Sequence, residues 1–447
     1  RGHRGYERDG TDMILTYIRV TIRPLGPWRV GAVGQDQSAL ETLRDNAGRP
    51  ALPPSSLAGS FRAGIDEAAR ELLMGQEKTK NGKPDFRASA LWFLGTRLTG
   101  VEDGQPEIRR RTATAVDRNR RAARNHGSHD VEEVYDTETI QLYLRHEGDP
   151  AEALRLLGKW RVTIGGGIST GLGRAEVTAI SYRTLDLSQP ADLLARVSLR
   201  DAGPDALDAL LQGGADHKVA AEESPTLLEA TIRIEGLNLP TQNLKDQLRP
   251  EDHWFHGTRW KGVLRGRVEY IGRSLGLDIC GAEDQQWRGC GRCAVCEVFG
   301  SGETGAGRWS FHFTPLKPDH PAGRTRNAID RFTGGVAEKK LFPEKTVTSR
   351  ARLVIGQLDG VETHHAWVLK ALLLALRDQQ EGYLGIGGRT STGLGSVRFE
   401  KLRLGEEFQR FGMTATSLEA VEGITEAEIE LERTRRPLGQ KEEMQHA

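Results

Sequence analysis

Four cysteines stand in one short stretch: Cys280, then CGRCAVC, which supplies Cys290, Cys293 and Cys296. The spacing is C-x9-C-x2-C-x2-C, and the chain has no other cysteine. A secreted disulfide framework would staple distant segments, and nothing distant is stapled here. Close spacing lets four thiolates surround one tetrahedral ion, so the pattern predicts a structural Zn2+ site without an open coordination position. Apparent binding of about 10–16 kcal/mol would then act as folding energy for a loop-rich insertion. Free buried thiols or a redox pair are the alternatives.

A second chemistry is written in glycine. IGGGISTGLGRAEV, residues 164–177, has a near copy in IGGRTSTGLGSVRF, residues 386–399. A tight helix-to-strand turn needs one or two glycines for positive φ. Five in the first stretch and four in the second, interleaved with Ser and Thr, point to backbone amides exposed to phosphate or ribose oxygens. The candidate contacts are Gly165, Gly166, Gly167, Ser169, Thr170, Gly171 and Gly173, then Gly387, Gly388, Ser391, Thr392, Gly393 and Gly395. Leu172 and Leu394 stand where a Walker A loop needs lysine, and GxGxxG spacing is absent, so nucleotide hydrolysis is poorly supported. Between Arg109 and Arg124, RRRTATAVDRNRRAAR sets its arginines against a single aspartate. Such a run is either a solvated helix face or a track for a phosphate backbone, whose oxygens the forked guanidinium fits.

The elements that must carry these residues occur twice. TIRPLGPWRVGAVGQD (21–36) matches TIRIEGLNLPTQNLKD (231–246), and SSLAGSFRAGIDEA from Ser55 matches TRWKGVLRGRVEYI from Thr258. RTATAVDR ends at Arg118 and RTRNAIDR at Arg331, and the glycine loops follow in the same order. Four landmarks in one order indicate a tandem duplication. LTYIRVTI and LEATIRIEG read as strands, SLAGSFRAGIDEAARELL and HHAWVLKALLLALRDQ as helices, and GSVRFEKLRL as a closing strand. Strand, helix, insertions, helix and strand give an α+β plan of the ferredoxin-like sort.

A chain of 447 residues has room for two or three domains, and 37% hydrophobic content gives each a core. The expected division is a disordered arm or cloning remnant over 1–12, domains over 13–186 and 226–404, a linker over 187–225, and an acidic extension over 405–447. No run of eighteen apolar residues and no charged-then-apolar leader is found, which points away from membranes and secretion and to the cytoplasm. Formal net charge is zero, so any nucleic-acid footprint has to be local.

In combination these motifs resemble the CRISPR-associated RAMP superfamily. The loop GGxTSxGLGxV after a helix is similar to that family's terminal glycine-rich loop. GRPALPPSSLAGSFR resembles the G-x-P-x-IPGSSLKGxLR motif of type III backbone subunits, and RNAIDRFTGGVAEKKLF and CEVFGSGETGAGRWSF resemble further motifs of that group. The likeness runs roughly from Met13 to Leu404. Pro54 replaces a glycine of the first motif, and HWFHGTRWKGVLR departs from it in the second half. The resemblance implies two fused RNA-recognition-like RAMP domains with loop insertions and a zinc knuckle in the second, as in fused type III-D and III-E systems.

It further implies that the chain binds CRISPR guide RNA alongside other type III effector subunits. Ser55, Ser56, Arg62, Lys261, Arg265, the glycine loops, and Arg109, Arg110, Arg111, Arg118 and Arg331 would make the RNA contacts. The AVDR and AIDR segments are similar to a thumb hairpin that intrudes into the guide–target duplex. In the family an acidic residue after the first strand cleaves complementary target RNA with a divalent ion, Mg2+ or Mn2+, by 2′-hydroxyl attack on the adjacent phosphate. Asp36 and Asp246 occupy that place, with Asp45 and Asp252 as neighbours. The chain would then be a metal-dependent endoribonuclease. Two alternatives are a non-catalytic backbone subunit and a processing endoribonuclease for precursor guide RNA, working through His126, His129, His253 or His256.

Overall fold

The computed structural model describes residues 13–32, 39–80, 83–100, 104–118, 122–199, 203–220, 225–238, 254–281, 289–318, 322–414 and 417–434. It divides into two compact units. The first holds Arg1–Ala113, Ser128–Ile168 and Leu172–Glu223, and the second Thr114–Gly127, Ser169–Gly171 and Ser224–Ala447.

In the first unit, β1 (Ile14–Pro24) is a run of β-branched and aromatic residues with period-two burial. Ile18, Val20 and Ile22 face one core and Leu15 and Tyr17 the other. Helix α1 (Pro54–Gly64) leads to β2 (Leu91–Gly100), a hairpin of β3 (Glu107–Asp117) and β4 (Ala122–Tyr135) follows, of which Thr114–Gly127 belongs to the second unit, and then β5 (Thr137–Glu147), α2 (Ala151–Gly158) and β6 (Ala175–Asp186). The long strands lie in the order β6-β1-β5-β2, every neighbour antiparallel. Leu57 and Phe61, one helical turn apart on α1, are fully buried on the Ile18 face, a burial of roughly 1.5–3 kcal/mol per side chain.

The stretch expected as a linker carries α3 (Pro190–Ser198), α4 (Pro204–Leu211) and the short β7 (Ala215–His217), which pairs with β6. Leu211 packs on Leu15 and Tyr17. Beside it Asp208 accepts from Arg19 at 2.9 Å, Arg97 at 3.1 Å and the Tyr143 hydroxyl at 2.9 Å. Apolar periodicity plus a multiply paired carboxylate explain why this stretch docks on the sheet.

The second unit repeats the plan. Strand β8 (Thr226–Asn238) is followed by α5 (Gly257–Ser274), the short α6 (Ala294–Phe299), β9 (Trp309–Phe311), a hairpin of β10 (Ala322–Ile329) with the first half of β11 (Val336–Gln357), then α7 (Ala366–Gln380) and β12 (Ser396–Leu404). The order β12-β8-β11-β9 is the first unit's order again, fourth, first, third, second. Both units therefore follow the βαββαβ plan of ferredoxin-like folds. Trp260, Leu264 and Val268 recur every fourth residue on α5 and are fully buried. Gly272 on the same face admits α7, because a Cβ there would lie 2.8 Å from the Trp367 ring. Past β12, Phe408, Met413, Leu418, Val421 and Ile429 join this core, so the acidic extension is packed over its described part. Among the described residues no helix is long and apolar enough to cross a membrane.

Candidate nucleic-acid interface and metal centre

Both glycine loops close by the same hydrogen bonds. Ile164 N–H donates to Gly173 O at 2.7 Å and Ile386 N–H to Gly395 O at 2.8 Å. The terminal glycines then donate to the chain just after the unit's first strand or at its end, Gly173 to Pro27 O at 2.9 Å and Gly395 to Glu235 O at 3.0 Å. A Cβ on Gly173 or Gly395 would fall 2.0 or 1.9 Å from a carbonyl oxygen of the same loop. Those two glycines are therefore required by the loop's own closure. Leu172 and Leu394, each between the last two glycines of its loop, are buried.

The rest of each loop faces outward, unequally. Gly387, Gly388, Ser391, Thr392 and Gly393 are all exposed, whereas in the first loop Gly166 is exposed, Gly165, Gly167 and Thr170 are half-buried, and Ser169, Gly171 and Gly173 are buried. Ser169–Gly171 is counted with the second unit, and there Lys261 Nζ donates to Ser169 Oγ at 2.7 Å. Burial, with the charge of Arg265 adding to it, pulls the Lys261 ammonium down to about 8.

In the first unit α1 is joined to its loop: Thr163 N–H donates to Ser60 Oγ at 2.9 Å. Pro53 precedes the helix, and no side chain caps its first turn, where Ser55 and Ser56 stand. Pro54 carries no N–H and the Ser56 N–H donates to Pro53 O at 3.0 Å, so what favours an anion there is the helix dipole rather than a row of open amides. Arg62, in the last turn, is exposed.

Of the arginine run, Arg109, Arg110 and Arg111 lie on β3, Arg118 just past its end and Arg124 on β4, and these face different partners. Arg109 pairs with Glu107 at 2.9 Å and with Asp136. Exposed Arg110 pairs with Glu132 at 3.2 Å, and Arg111 pairs with the fully buried Glu133 at 2.7 Å. Arg118 donates to Glu269 at 2.8 Å. The second hairpin turns on Asp330, whose carboxylate accepts from the N–H groups of Phe332 and Thr333 at 2.9 and 2.8 Å. That Asx turn holds Arg331 exposed and Phe332 completely so. Sequence reading missed Glu344, 1% exposed at the hairpin's root. It accepts from Arg326 Nε at 2.6 Å and from Arg389 in the glycine loop at 3.1 Å.

Asp36, Asp246, Asp252 and His253 lie outside the described residues, as does the side chain of His126. The residues flanking Asp36 are tied together, Ala32 N–H donating to Glu41 O at 3.1 Å. Asp45 accepts from the amides of Ala47 and Arg49 at 2.9 Å and from the Arg49 side chain at 2.9 Å, so its carboxylate shapes a turn. His129 is half-buried on β4, and buried His256 packs its ring on Phe313.

The four cysteines converge, with all Sγ atoms within 4.8 Å of one another. Cys280 Sγ lies 3.3 Å from Cys296 Sγ and 3.7 Å from Cys293 Sγ. A tetrahedron with Zn–S bonds of about 2.3 Å has edges of about 3.8 Å, so the set could bind a metal such as zinc. Backbone N–H groups of Arg292 and Cys293 point at Cys290 Sγ from 3.4 and 3.3 Å, as a thiolate requires. The Cys293 thiol first, then these amides, hold the Cys290 thiol down to about 6, against burial. Gly289 leaves the space: a Cβ there would meet Cys296 Sγ at 2.8 Å.

Arg265, expected to contact RNA, is buried here instead. Its guanidinium donates to Glu269 at 2.8 Å, to Gly300 O and to Cys296 Sγ at 3.2 Å. Glu297, His364 and His365 also gather. His365 Nδ1 accepts the Glu362 N–H at 3.0 Å, so the neutral ring carries its proton on Nε2 and gives it to Glu297 at 2.8 Å. That trio is satisfied by hydrogen bonds.

No curated protein matches the chain. The RAMP superfamily model matches it twice, over residues 21–176 and 238–398. Each match takes in the helices, the hairpin and the glycine loop of one βαββαβ unit, and on that evidence the chain belongs to the RAMP superfamily, as two RAMP domains fused in tandem.

Proposed function

We propose that the chain is a guide-RNA-binding backbone subunit of a type III CRISPR effector, of the fused III-D or III-E sort. The observation that carries this is the repeated pairing, within one chain, of a glycine loop anchored at the end of a first strand with an arginine-bearing hairpin. Exposed loop backbone at Gly387–Gly393 suits phosphate and ribose oxygens. The uncapped start of α1 with Ser55 and Ser56, exposed Arg62, Arg110 and Arg331, and half-buried Lys261 supply polar groups and charge. Base pairing between guide and target would carry sequence specificity, while the protein reads backbone and shape, in parallel with RNA-guided DNA recognition. Phe332, presented by the Asp330 turn, is an apolar wedge suited to a duplex step. Other subunits of the effector would be its protein partners.

Cleavage of target RNA is assigned to Asp36, Asp246 or both, on the motif order alone. A divalent ion such as Mg2+ or Mn2+ would neutralise charge developing on the phosphate. The four cysteines would hold a structural Zn2+ that keeps the segment around α6 folded. The first test is purification from cells that carry a CRISPR array, with sequencing of the bound RNA. Short RNAs with repeat-derived ends and varied spacers are expected. RNA of random sequence would overturn the guide-binding reading.

A further inference from the structure

The duplication offers an internal comparison for the metal centre. Arg62 on α1 and Arg265 on α5 hold matching places, three residues after Gly59 and Gly262. In the unit without cysteines Arg62 is exposed. In the unit with four of them Arg265 is buried and its Nη2 lies 3.2 Å from Cys296 Sγ. The helix continues the theme at every fourth residue: Glu269 fixes Arg265 at 2.8 Å, and Arg273 donates to Cys280 O at 3.0 Å. Glu269 is fully buried, and its other oxygen is taken by Arg118 at 2.8 Å.

Four thiolates around a dication leave the centre with net charge of about −2. A buried charge of that size needs compensation nearby. We propose that Arg265 is the outer positioning residue of the metal centre, held by Glu269 so that its guanidinium neutralises and hydrogen-bonds the Cys296 thiolate. This rests on the zinc reading of the cysteine cluster. The matching arginine is exposed on α1 and lies against the cysteines on α5, and the cysteine segment occurs only in the second unit.

Outer partners of metal ligands set ligand orientation and typically account for 10–100-fold in metal affinity. The test compares the full chain with Arg265→Met, Arg265→Lys and Glu269→Gln. Zinc per chain is measured first, then zinc retention against a chromophoric chelator, then the sulfur-to-metal charge-transfer band of the Co2+-substituted protein. About one zinc per chain is expected, with roughly 10–100-fold weaker retention and a shifted band in Arg265→Met. Arg265→Lys should recover part of the loss, and Glu269→Gln should weaken retention by a smaller factor. Should Arg265→Met fail to fold, the Lys and Gln variants carry the comparison. Unchanged retention and an unchanged band in folded variants would overturn the role of Arg265 while leaving the zinc site standing. A parent protein without zinc would overturn the site itself.

Discussion

Glu344 lies beneath Arg389 and accepts its Nη1 at 3.1 Å, while Arg389 sits in the left-handed region at φ 59°. A side chain in that region costs about 1 kcal/mol or more, and the buried carboxylate is what offsets it. Glu344 also holds Arg326 at 2.6 Å, so one group ties the second glycine loop to the root of its hairpin. Glu344→Ala should destabilise the protein by about 1–3 kcal/mol, read from the urea midpoint, since both guanidiniums reach solvent and part of the loss is screened. Arg389→Gly should cost less, because glycine relieves the strain as it removes the pair. Equal losses in the two variants would mean that the strain is not held by the pair.

The cysteines all belong to the second unit, so metal removal should act unevenly. With a strong chelator, or in Cys293→Ser, we expect the thermal transition of the second unit to fall while that of the first stays in place. Calorimetry of the full chain is the measurement, read as two transitions before and after metal removal. A uniform fall of both, or no change in either, would contradict a structural metal confined to the second unit.

Much of this architecture is legible in residue patterns because period-two and period-four burial leave marks in sequence. The alternation Ile18, Val20, Ile22 and the spacing Trp260, Leu264, Val268 stand out in the residue string itself. So does the spacing Arg265, Glu269, Arg273, which signals a charged helix face, though only folding reveals that the face turns inward to sulfur. Glycine misleads when every copy in a loop is taken for a ligand contact. Gly173 and Gly395 serve closure of their own loops, and the sequence alone does not separate them from Gly387 or Gly393, which face outward. Charge is hardest: Arg110 and Arg111 are adjacent, identical in type and both bonded to buried glutamates of β4, yet the Arg110 side chain is 55% exposed and that of Arg111 22%. That difference follows from strand alternation, which sends neighbouring side chains to opposite faces.

Exposed arginines and arginines bound to buried carboxylates should therefore separate in experiment. Arg331→Ala and Arg62→Ala, both at exposed positions, should leave stability nearly unchanged. Each should flatten the plot of log affinity for guide RNA against log salt by about 0.7 for every phosphate that is no longer neutralised. Arg111→Ala should instead lower stability by about 3 kcal/mol by leaving Glu133 undercompensated. An unchanged salt slope in the double variant of Arg62 and Arg331 would return those residues to a solvated surface.

If Asp36 and Asp246 cut target RNA, the loaded complex should cleave complementary RNA only with a divalent ion, and Asp36→Ala with Asp246→Ala should abolish it while guide RNA still copurifies. Single variants would each remove one set of product ends. Undiminished cleavage by the double variant would leave the chain as a backbone subunit with inert aspartates.

Lys261 gives the pH prediction. Its ammonium is drawn from the ordinary 10.5 to about 8, chiefly by burial. Below pH 8 the folded chain therefore carries a charge that the unfolded chain solvates better. Between pH 8 and 10.5 the unfolded state binds more protons, so stability rises with pH through that window. Lys261→Met should accordingly stabilise the RNA-free protein near pH 7, by an amount on the order of 2–3 kcal/mol. The gain should vanish above pH 10.5. If a phosphate of the guide seats against Lys261, that anion favours the charged form. RNA affinity should then fall as pH rises through 8 in the parent protein and stay level in Lys261→Met. A stability gain with no change in the pH dependence of binding would make Lys261 a structural donor to Ser169 and remove it from the RNA interface.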